Sequence, residues 1–467
     1  MKIDHGMTPL EIRSSLSLAS IYGLRMLGMF LILPIFAIYA EGLPRSPTAF
    51  QVGIAIGAYG LTQALFQLPF GMLSDRYGRK NIIYIGLILF ALGSFVSGYS
   101  DDITIIILGR AIQGAGAISA AITALVADLT RDENRTKAMA IIGATIGVTF
   151  ALSLVGAPIL NHLIGVPGIF MLTGFLSLGA ILIVRFVVPT PLTINIPITL
   201  KEPASDFISI LKNTQLLRLN FGIFALHAAQ MAMFILVPLA LVTSGGLDVN
   251  QHWKVYLPVL LGSFVLMVPI IIASEKFNQS KLVFIGCIFL MLIAQLMFGF
   301  FIHIFWGLVL SLFVYFVAFN VLEASLPSLI SKIAPPSGKG TAIGVYNTSQ
   351  SLGVFFGGLL GGFLADQGGS FSVFLFCAIL MSLWVSFALS MKVPPAIKTL
   401  MFMIHNKSLL KSPKQLLLVQ QQLKKLKGVR EVMILLEEGK VMLKVNKQET
   451  IHEVSISRLL GGKHGVS

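Results

Sequence analysis

The chain has 467 residues, of which 55% are hydrophobic and only 12% are charged. Soluble globular domains carry about 25% charged residues, so this composition excludes an ordinary water-soluble protein and indicates one that lies in a bilayer. The formal net charge is +14, and the positions of the basic residues, described below, account for it without a nucleic-acid partner.

Twelve apolar stretches follow one another along the chain. Each is long enough to cross a hydrocarbon core about 30 Å thick as a helix. Their ranges are 16–40, 51–73, 81–100, 103–127, 137–160, 168–188, 217–243, 254–274, 281–301, 304–330, 340–365 and 370–391. The first is too long for the apolar region of a signal peptide and is interpreted as a transmembrane helix. Cys287 and Cys377 both lie inside these stretches, which predicts small buried side chains and neither a metal site nor a disulfide framework.

Connections that are rich in basic residues alternate along the chain with connections that hold few of them. With the N-terminus in the cytoplasm, the outside connections hold only Arg45 and Lys254. The inside connections hold Arg76, Arg79, Lys80, Arg131, Arg135, Lys137, Lys201, Lys212, Arg218, Lys276, Lys281, Lys332 and Lys339. The positive-inside rule requires this asymmetry, so we predict a multi-pass membrane protein with both termini in the cytoplasm.

Two polar segments divide the chain. Residues 189–216 are too polar and proline-rich to span a membrane, and they separate the first six stretches from the last six. After Lys392 no further spanning stretch follows. We predict four parts, which are an N-terminal six-helix half (1–188), a cytoplasmic linker (189–216), a C-terminal six-helix half (217–392) and a cytoplasmic domain (393–467).

The segment after Lys392 changes its pattern. TLMFMIHN is typical of a strand, LLKSPKQLLLVQQQLKKLKG of a helix that ends at Gly428, and VREVMILLEEGKVMLKVN of a hairpin that turns at Glu438 and Gly439. A second helix is predicted near 449–460. This βαββα order predicts a small α+β ferredoxin-like domain. Fourteen basic against five acidic residues from Lys392 onward favour contact with anionic lipid headgroups.

The two halves resemble each other in sequence. A shift of 204 residues lays LGMFLILPIFAI (27–38) over MAMFILVPLALV (231–242) and RTKAMAI over KGTAIGV, and a shift of 200 lays Asp75 over Glu275. These matches indicate a parallel repeat of two six-helix halves. Such repeats are typical of alternating-access transporters, in which the substrate site lies between the halves near the midplane.

Two motifs resemble signatures of the major facilitator superfamily. GMLSDRYGRK, residues 71–80, fills every defined position of the pattern G-x-L-x-D-R-x-G-R-[RK] between helices two and three. LGRAIQGAGA, residues 108–117, resembles the fourth-helix signature with its R-x-x-Q-G core. The resemblance covers residues 14–392 and implies the twelve-helix fold of that family. The appended domain narrows it to the YajR-type branch of drug/proton antiporters, and this resemblance implies a location in the bacterial inner membrane.

This resemblance implies a transporter and not an enzyme. The expected activity is export of a small molecule or drug in exchange for protons, by a monomer in the bilayer that needs no cofactor. The antiporter signature of helix five is only partly present, as VGAPIL (155–160), which leaves proton symport and uniport open. A transporter-like sensor with a regulatory C-terminal domain is a further alternative. No G-x-x-x-x-G-K-[ST] pattern occurs, so an ion gradient is the expected energy source.

The resemblance also implies a conformational latch on the cytoplasmic side. In the family, the acid at the position of Asp75 faces the positive end of a helix of the opposite half, and the arginine at the position of Arg79 pairs with an acid, here Asp128. Carboxylate-to-helix contacts contribute about 0.3–1 kcal/mol when exposed. The alternative is that the loop charges only fix the topology. The predicted latch consists of Gly71, Asp75, Arg76, Gly78, Arg79, Lys80 and Asp128.

Few ionisable residues lie within the stretches, where a charge is costly unless it is paired or hydrated. The resemblance assigns Arg110 to proton coupling, and a purely structural hydrogen-bonding role is the alternative. Glu323 is the only carboxylate well inside a stretch. We predict that it exchanges protons, and the alternative is an acid at the inner vestibule that pairs with Lys332.

Polar residues at helical spacing and two repeat-related phenylalanines are candidates for the substrate cavity. Hydrogen bonding between helices is the alternative for the polar residues, and ordinary packing for the phenylalanines. For Arg25 a further alternative is that the side chain snorkels, so that its guanidinium group reaches the cytoplasmic interface. The candidates are Arg25, Phe30, Tyr59, Gln63, Gln67, Gln113, His227, Gln230, Phe234, Asn320, Asn347 and Gln350.

Overall fold

The computed structural model describes residues 7–131, 134–189, 207–277, 279–335, 338–392, 397–404, 413–426, 428–435, 440–446, 456 and 459–460. These residues form a mostly helical protein with one small sheet. The helices are α1 (Pro9–Phe30), α2 (Phe36–Glu41), α3 (Ala49–Tyr77), α4 (Arg79–Tyr99), α5 (Ile103–Ala115), α6 (Ser119–Leu129), α7 (Arg135–Phe186), α8 (Phe207–Lys212), α9 (Thr214–Thr243), α10 (Trp253–Lys276), α11 (Ser280–Phe301), α12 (Phe305–Ile333), α13 (Lys339–Leu389) and α14 (Pro413–Lys425). The strands are β1 (Ile397–Met403), β2 (Val429–Leu435) and β3 (Lys440–Asn446).

Nine helical segments among the described residues are long and apolar enough to cross a membrane. Two of them, α7 and α13, contain 52 and 51 residues. At 1.5 Å per residue each would measure about 78 Å, more than twice the hydrocarbon core. Each is kinked at a glycine with positive φ, at Gly165 (67°) and at Gly369 (66°). These glycines are 204 positions apart (369 minus 165), which is the shift of the predicted repeat.

Two predicted spans are interrupted. Residues 31–35, between α1 and α2, form turns, and Pro34 has no N–H to continue a helical ladder there. The second interruption separates α5 from α6. A Cβ at Gly114 would overlap the carbonyl oxygen of Tyr59. Likewise, a Cβ at Gly116 would overlap the carbonyl oxygen of Gly86. Glycine at these positions lets the backbones of α3 and α4 come close, which a continuous helix with larger side chains would prevent.

We call α1–α7 the first half and α9–α13 the second half. They pack together along α3 and α13, where Gly53 lies against the backbones of Gly358 and Gly362, and Gly57 against that of Phe355. A Cβ on either α3 glycine would overlap these backbones. All these residues lie in the outer parts of their helices, so the halves are closed against each other at the outer face.

A small sheet follows the membrane helices. Its strand order is β1-β3-β2, and both pairs are antiparallel. Leu423 of α14 packs with Val432, Val441 and Leu443 of the sheet in one buried cluster. The order strand, helix, strand, strand agrees with the predicted order. The predicted hairpin turn, most of the predicted last helix and residues 190–206 of the linker lie outside the described residues, and the ferredoxin-like assignment stays a prediction.

Candidate functional site

The cytoplasmic loop between α3 and α4 is organised around one arginine. Gly78 has a φ of 93°, a left-handed conformation that favours glycine, and this residue ends α3 directly before α4. Arg79 donates hydrogen bonds to Oδ2 of Asp128 (3.1 Å) and to Oγ of Ser74 (2.8 Å), and it pairs with Asp75. The predicted pair of Arg79 and Asp128 is therefore present, and it joins α3, α4 and α6.

The other latch residues also make their contacts within the first half. The Asp75 side chain is 65% exposed, and its ion-pair partner among the described residues is Arg79, not a helix end of the second half. Lys80 donates to a main-chain carbonyl oxygen just after α7 (2.7 Å). Arg76 lies beside a neighbouring tyrosine ring, and a Cβ on Gly71 would meet a side chain of α6 at 3.4 Å.

Glu11, at the cytoplasmic start of α1, forms a network that the sequence analysis missed. Its carboxylate accepts hydrogen bonds from the main chain of Thr8 (2.8 Å), from the main chain (2.9 Å) and guanidinium group (3.0 and 3.1 Å) of Arg131, and from the amide of Asn134 (3.1 Å). Burial acts to raise the pKa of Glu11. The hydrogen bonds from Arg131 and Thr8 and the charge of Arg131 outweigh burial and lower this pKa from 4.5 to about 2.

Asp366, at the outer face, was also missed. Each of its carboxylate oxygens accepts a main-chain hydrogen bond of 2.9 Å from the start of α3. An acid between glycine-rich segments, in GGFLADQGG just past a predicted span, is a signal that could have marked it. The partner could not be identified in this way, because it lies 317 positions away in the sequence.

Three predicted residues of the second half meet in one cluster. Nε2 of His227 on α9 lies 2.8 Å from Nε2 of Gln350 on α13 and 4.0 Å from Oε2 of Glu323 on α12. Nδ1 of His227 lies 3.2 Å from the carbonyl oxygen of Ile223. A neutral histidine fits these contacts if Nδ1–H donates to Ile223 and Nε2 accepts from Gln350. Glu323 thus has a histidine as its ionisable neighbour, and not the lysine considered from the sequence.

Predicted residues of the first half form a second cluster. The guanidinium carbons of Arg25 and Arg110 lie 5.7 and 5.0 Å from the centre of the Tyr59 ring. Arg25 donates to Oγ of Ser119 (2.7 Å), and Arg110 donates to Oε1 of Gln113 (2.8 Å) and to a main-chain carbonyl oxygen of α3 (3.4 Å). The exposed fractions of Arg25 and Arg110 are 2% and 1%. Arg25 therefore lies inside the protein and does not snorkel to the interface.

Aromatic side chains of the two halves meet near these clusters. The rings of Phe30 and Phe150, both of the first half, are 5.0 Å apart. Phe150 in turn lies 6.1 Å from Phe316 and 5.8 Å from Phe319 of the second half. Phe30 is therefore part of an aromatic layer that bridges the halves.

The remaining candidates do not join either cluster. Asn320 donates a hydrogen bond to Oγ of Ser263 (2.9 Å) and so links α12 to α10. Phe234 is completely buried. Gln67 and Gln230 are buried, and each has an amide oxygen without a hydrogen-bond partner in the described part of the chain. Gln63 and Asn347 are half-buried.

The described residues hold no cluster suited to a metal ion, and the cleft described here lies away from the predicted site. No group of three or more His, Cys, Asp or Glu side chains there could hold a metal ion. A cleft of about 800 Å³ opens at the outer face, lined by residues such as Arg45, Tyr99 and Asp101. None of the predicted site residues lines this cleft, so it does not mark the predicted substrate site.

Comparison with known proteins adds a family relationship. A profile described as Major Facilitator Superfamily matches residues 18–274 and 251–423. The chain is 42% identical over 447 residues to the "Inner membrane transport protein YajR" of Escherichia coli strain K12, across 96% of this chain and 97% of that protein. It is 27% identical over 365 residues to the "Quinolone resistance protein NorA" of Staphylococcus aureus strain COL, across 73% and 87%. Among solved structures, a bacterial homolog of the human lysosomal transporter Spinster matches with a TM-score of 0.64 and 14% identity, across 82% of this chain and 97% of that one.

Proposed function

The chain belongs to the major facilitator superfamily, and on this basis we propose that it exports a small molecule or drug in exchange for protons by alternating access. It is a multi-pass transport protein of the inner membrane and not an enzyme. The observation that carries the proposal is the cluster of His227, Glu323 and Gln350, because it places a carboxylate beside a histidine within the membrane-spanning part.

The helices support an arrangement of twelve spans. Division of α7 and α13 at Gly165 and Gly369 raises the nine apolar segments to eleven, and α1 with α2 supplies the twelfth. Six spans then fall in residues 1–188 and six in 217–392, joined by the cytoplasmic linker 189–216. This protein then acts as a monomer, since both halves of the transport path lie in one chain.

The segment 393–467 is proposed as a ferredoxin-like domain in the cytoplasm. The three-stranded antiparallel sheet and α14 support this assignment. Helix α14 ends in two exposed lysines, Lys424 and Lys425, which fit contacts with anionic lipid headgroups at the membrane surface.

One proton of the His227 cluster can reside either on Glu323 or on His227. With the proton on Glu323, His227 is neutral and its Nε2 accepts from Gln350, as described above. After transfer of that proton to His227, Nε2–H faces the ionised Glu323 carboxylate, and the Gln350 amide must rotate to present its oxygen. A single proton therefore changes the bonds among α9, α12 and α13. Because α13 also packs against α3, the position of this proton is linked to the contact between the halves.

The test uses the full chain in proteoliposomes with a pH-sensitive dye inside. A fluoroquinolone serves as the first probe, because the relative NorA is named a quinolone resistance protein. We expect addition of the probe to dissipate an imposed pH gradient, and we expect Glu323→Gln to abolish this proton movement while a fluorescence-monitored gel filtration peak is retained.

The matched control is Glu41→Gln, since Glu41 is an exposed acid at the outer end of α2. This variant should behave like the wild type. Proton movement that persists in Glu323→Gln would contradict the proposed coupling site. Transport of the probe without any proton movement in the wild type would contradict antiport and favour uniport.

A further inference from the structure

The cluster of the first half contains two positive charges and no negative one. The six predicted spans of this half contain no aspartate or glutamate. Of their basic residues, Arg25 and Arg110 are buried, whereas Lys137 and Arg185 are exposed. Guanidinium groups stay protonated in proteins. Glu323, the carboxylate within the spans of the second half, has His227 as its ionisable neighbour. Two buried charges therefore lie beside the Tyr59 ring without a carboxylate to neutralise them among the described residues.

Several donors of this cluster have no acceptor. Nε and Nη2 of Arg25, Nη2 of Arg110 and the hydroxyl of Tyr59 are buried and lack a hydrogen-bond partner within the described residues. A buried donor without a partner is costly, and it calls for a bound group that the protein itself does not supply. The three side chains come from α1, α3 and α5, and both guanidinium carbons lie at most 5.7 Å from the centre of the Tyr59 ring.

The open donors of Arg25 have a specific geometry. Its Nη1 is already bonded to Ser119, which leaves Nε and Nη2 on the opposite edge of the guanidinium group. This edge presents two parallel N–H groups, the arrangement that binds both oxygens of a carboxylate. The free edge therefore matches an oxyanion better than a neutral amide or a single hydroxyl group.

The interruption of the fourth predicted span places the partial positive charge of a helix N-terminus beside Arg25. Helix α6 has 11 residues and begins at Ser119, the residue that accepts from Arg25. The first N–H groups of a helix have no partner inside the helix, and its N-terminal end carries a partial positive charge. In interrupted membrane helices such ends stabilise anionic groups of substrates. The helix end alone would not define a site, but here it lies beside a buried arginine with two open donors.

We propose that Arg25, Tyr59, Arg110 and the start of α6 form a binding site for the acid group of an organic anion, so that the transported molecule carries a carboxylate or a similar oxyanion. This inference rests on the proposed transport function and specifies its substrate class. The site is closed to solvent in the present structure, since both arginines are at most 2% exposed. Ligand exchange therefore requires the helices around the site to separate.

The test compares benzoate with benzamide, which have the same ring but differ in charge. The full chain is purified in a non-ionic detergent, and its thermal unfolding midpoint is measured while benzoate replaces chloride at constant ionic strength. We expect a saturable rise of the midpoint with benzoate and none with benzamide. Equal effects of the two compounds, or no effect of benzoate, would overturn the proposal on the wild type alone.

Variants then locate the site. Arg25→Gln and Arg110→Gln should each weaken the apparent benzoate affinity at least tenfold. Arg25→Lys should give an intermediate loss of affinity, because lysine keeps the positive charge but lacks the two parallel N–H groups. The control is Arg185→Gln, an exposed arginine near the end of α7, which should bind like the wild type. Unchanged affinity in both glutamine variants would contradict the assignment.

A lipid headgroup could supply the same oxyanion chemistry, so the measurement is repeated in nanodiscs. Equal benzoate affinity in discs of neutral lipid and in discs that contain phosphatidylglycerol supports a free organic anion. A loss of benzoate binding only in the anionic discs would identify the headgroup as the occupant and overturn the substrate class. Benzoate binding is independent of Glu323, so failure of the proton-coupling test and failure of this inference are separate results.

Discussion

Asp366 of the second half caps the helix that begins with Ala49 in the first half. Its two carboxylate oxygens accept hydrogen bonds from the main-chain N–H groups of Ala49 and Phe50, each at 2.9 Å. The family resemblance implies the same kind of contact for Asp75, between a carboxylate of one half and a helix end of the other, on the cytoplasmic side. In this structure the contact exists at the outer face, where the halves meet, and Asp75 is exposed.

Asp366→Ala should open the outer face. Loss of a capping carboxylate costs about 1 kcal/mol, which corresponds to about a fivefold change in the balance between closed and open states. The distance between spin labels at Glu41→Cys and His303→Cys, on outer connections of the two halves, should shift towards longer values. Asp101→Ala, which removes another exposed outer acid, is the control. An unchanged distance distribution would show that Asp366 does not hold the halves together.

Gly53→Ala should also open the outer face, for a steric reason. The added Cβ would overlap the backbone of Gly358 on α13, so the two helices must separate. Gly147→Ala is the matched control, because Gly147 is also in the middle of a helix but has no atom within 4 Å of the added Cβ. The control should be neutral or slightly stabilised, by up to about 1 kcal/mol, since alanine favours helix formation. Equal spin-label distances in both variants would contradict the close approach of α3 and α13.

Glu11 should make the stability depend on pH. Because its pKa is lowered from 4.5 to about 2 in the folded protein, its contribution is complete above the unfolded value and is lost as the pH falls towards the folded value. Glu11→Gln should lose about 2 kcal/mol at neutral pH, through its bonds to Arg131 and Asn134. The difference in unfolding midpoint between wild type and variant should shrink as the pH falls from 4.5 to about 2. A constant difference over this range would contradict the role of the charge.

Asp75→Asn separates a role in transport from a role in stability. The exposed pair of Asp75 and Arg79 contributes about 1 kcal/mol or less, so the unfolding midpoint of the variant should stay close to that of the wild type. Transport of the quinolone probe should fall severalfold, since the proposed latch acts only when the halves meet on the cytoplasmic side. Asp101→Asn serves as the control for a lost exposed charge. Full transport by Asp75→Asn at equal surface expression would exclude the latch.

The sequence predicted the features that depend on local pattern. Apolar length predicted the membrane helices, and a filled motif predicted the pair of Arg79 and Asp128, which the structure contains. The spacing of polar residues also indicated His227, Glu323 and Gln350. Each lies on a different helix, however, and helical spacing describes only one helix at a time. Their meeting in one cluster could therefore be seen only in the structure.

The features that the sequence did not predict depend on contacts between distant segments. Glu11 bonds to Arg131, 120 positions away, and neither residue lies in a motif. The break before Ser119 lies beside glycines that pack against neighbouring backbones, and an apolar pattern does not reveal such contacts. Tyr59 was a candidate on its own, but its contact with two arginines follows from the packing of α1, α3 and α5.

The kinks at Gly165 and Gly369 limit how the neighbouring spans can move. In each case a single residue with non-helical dihedral angles joins two apolar segments, so a displacement of one span at this end must also displace the other. Because the kinks occupy the same position of the repeat, each half ends in one such coupled pair of spans.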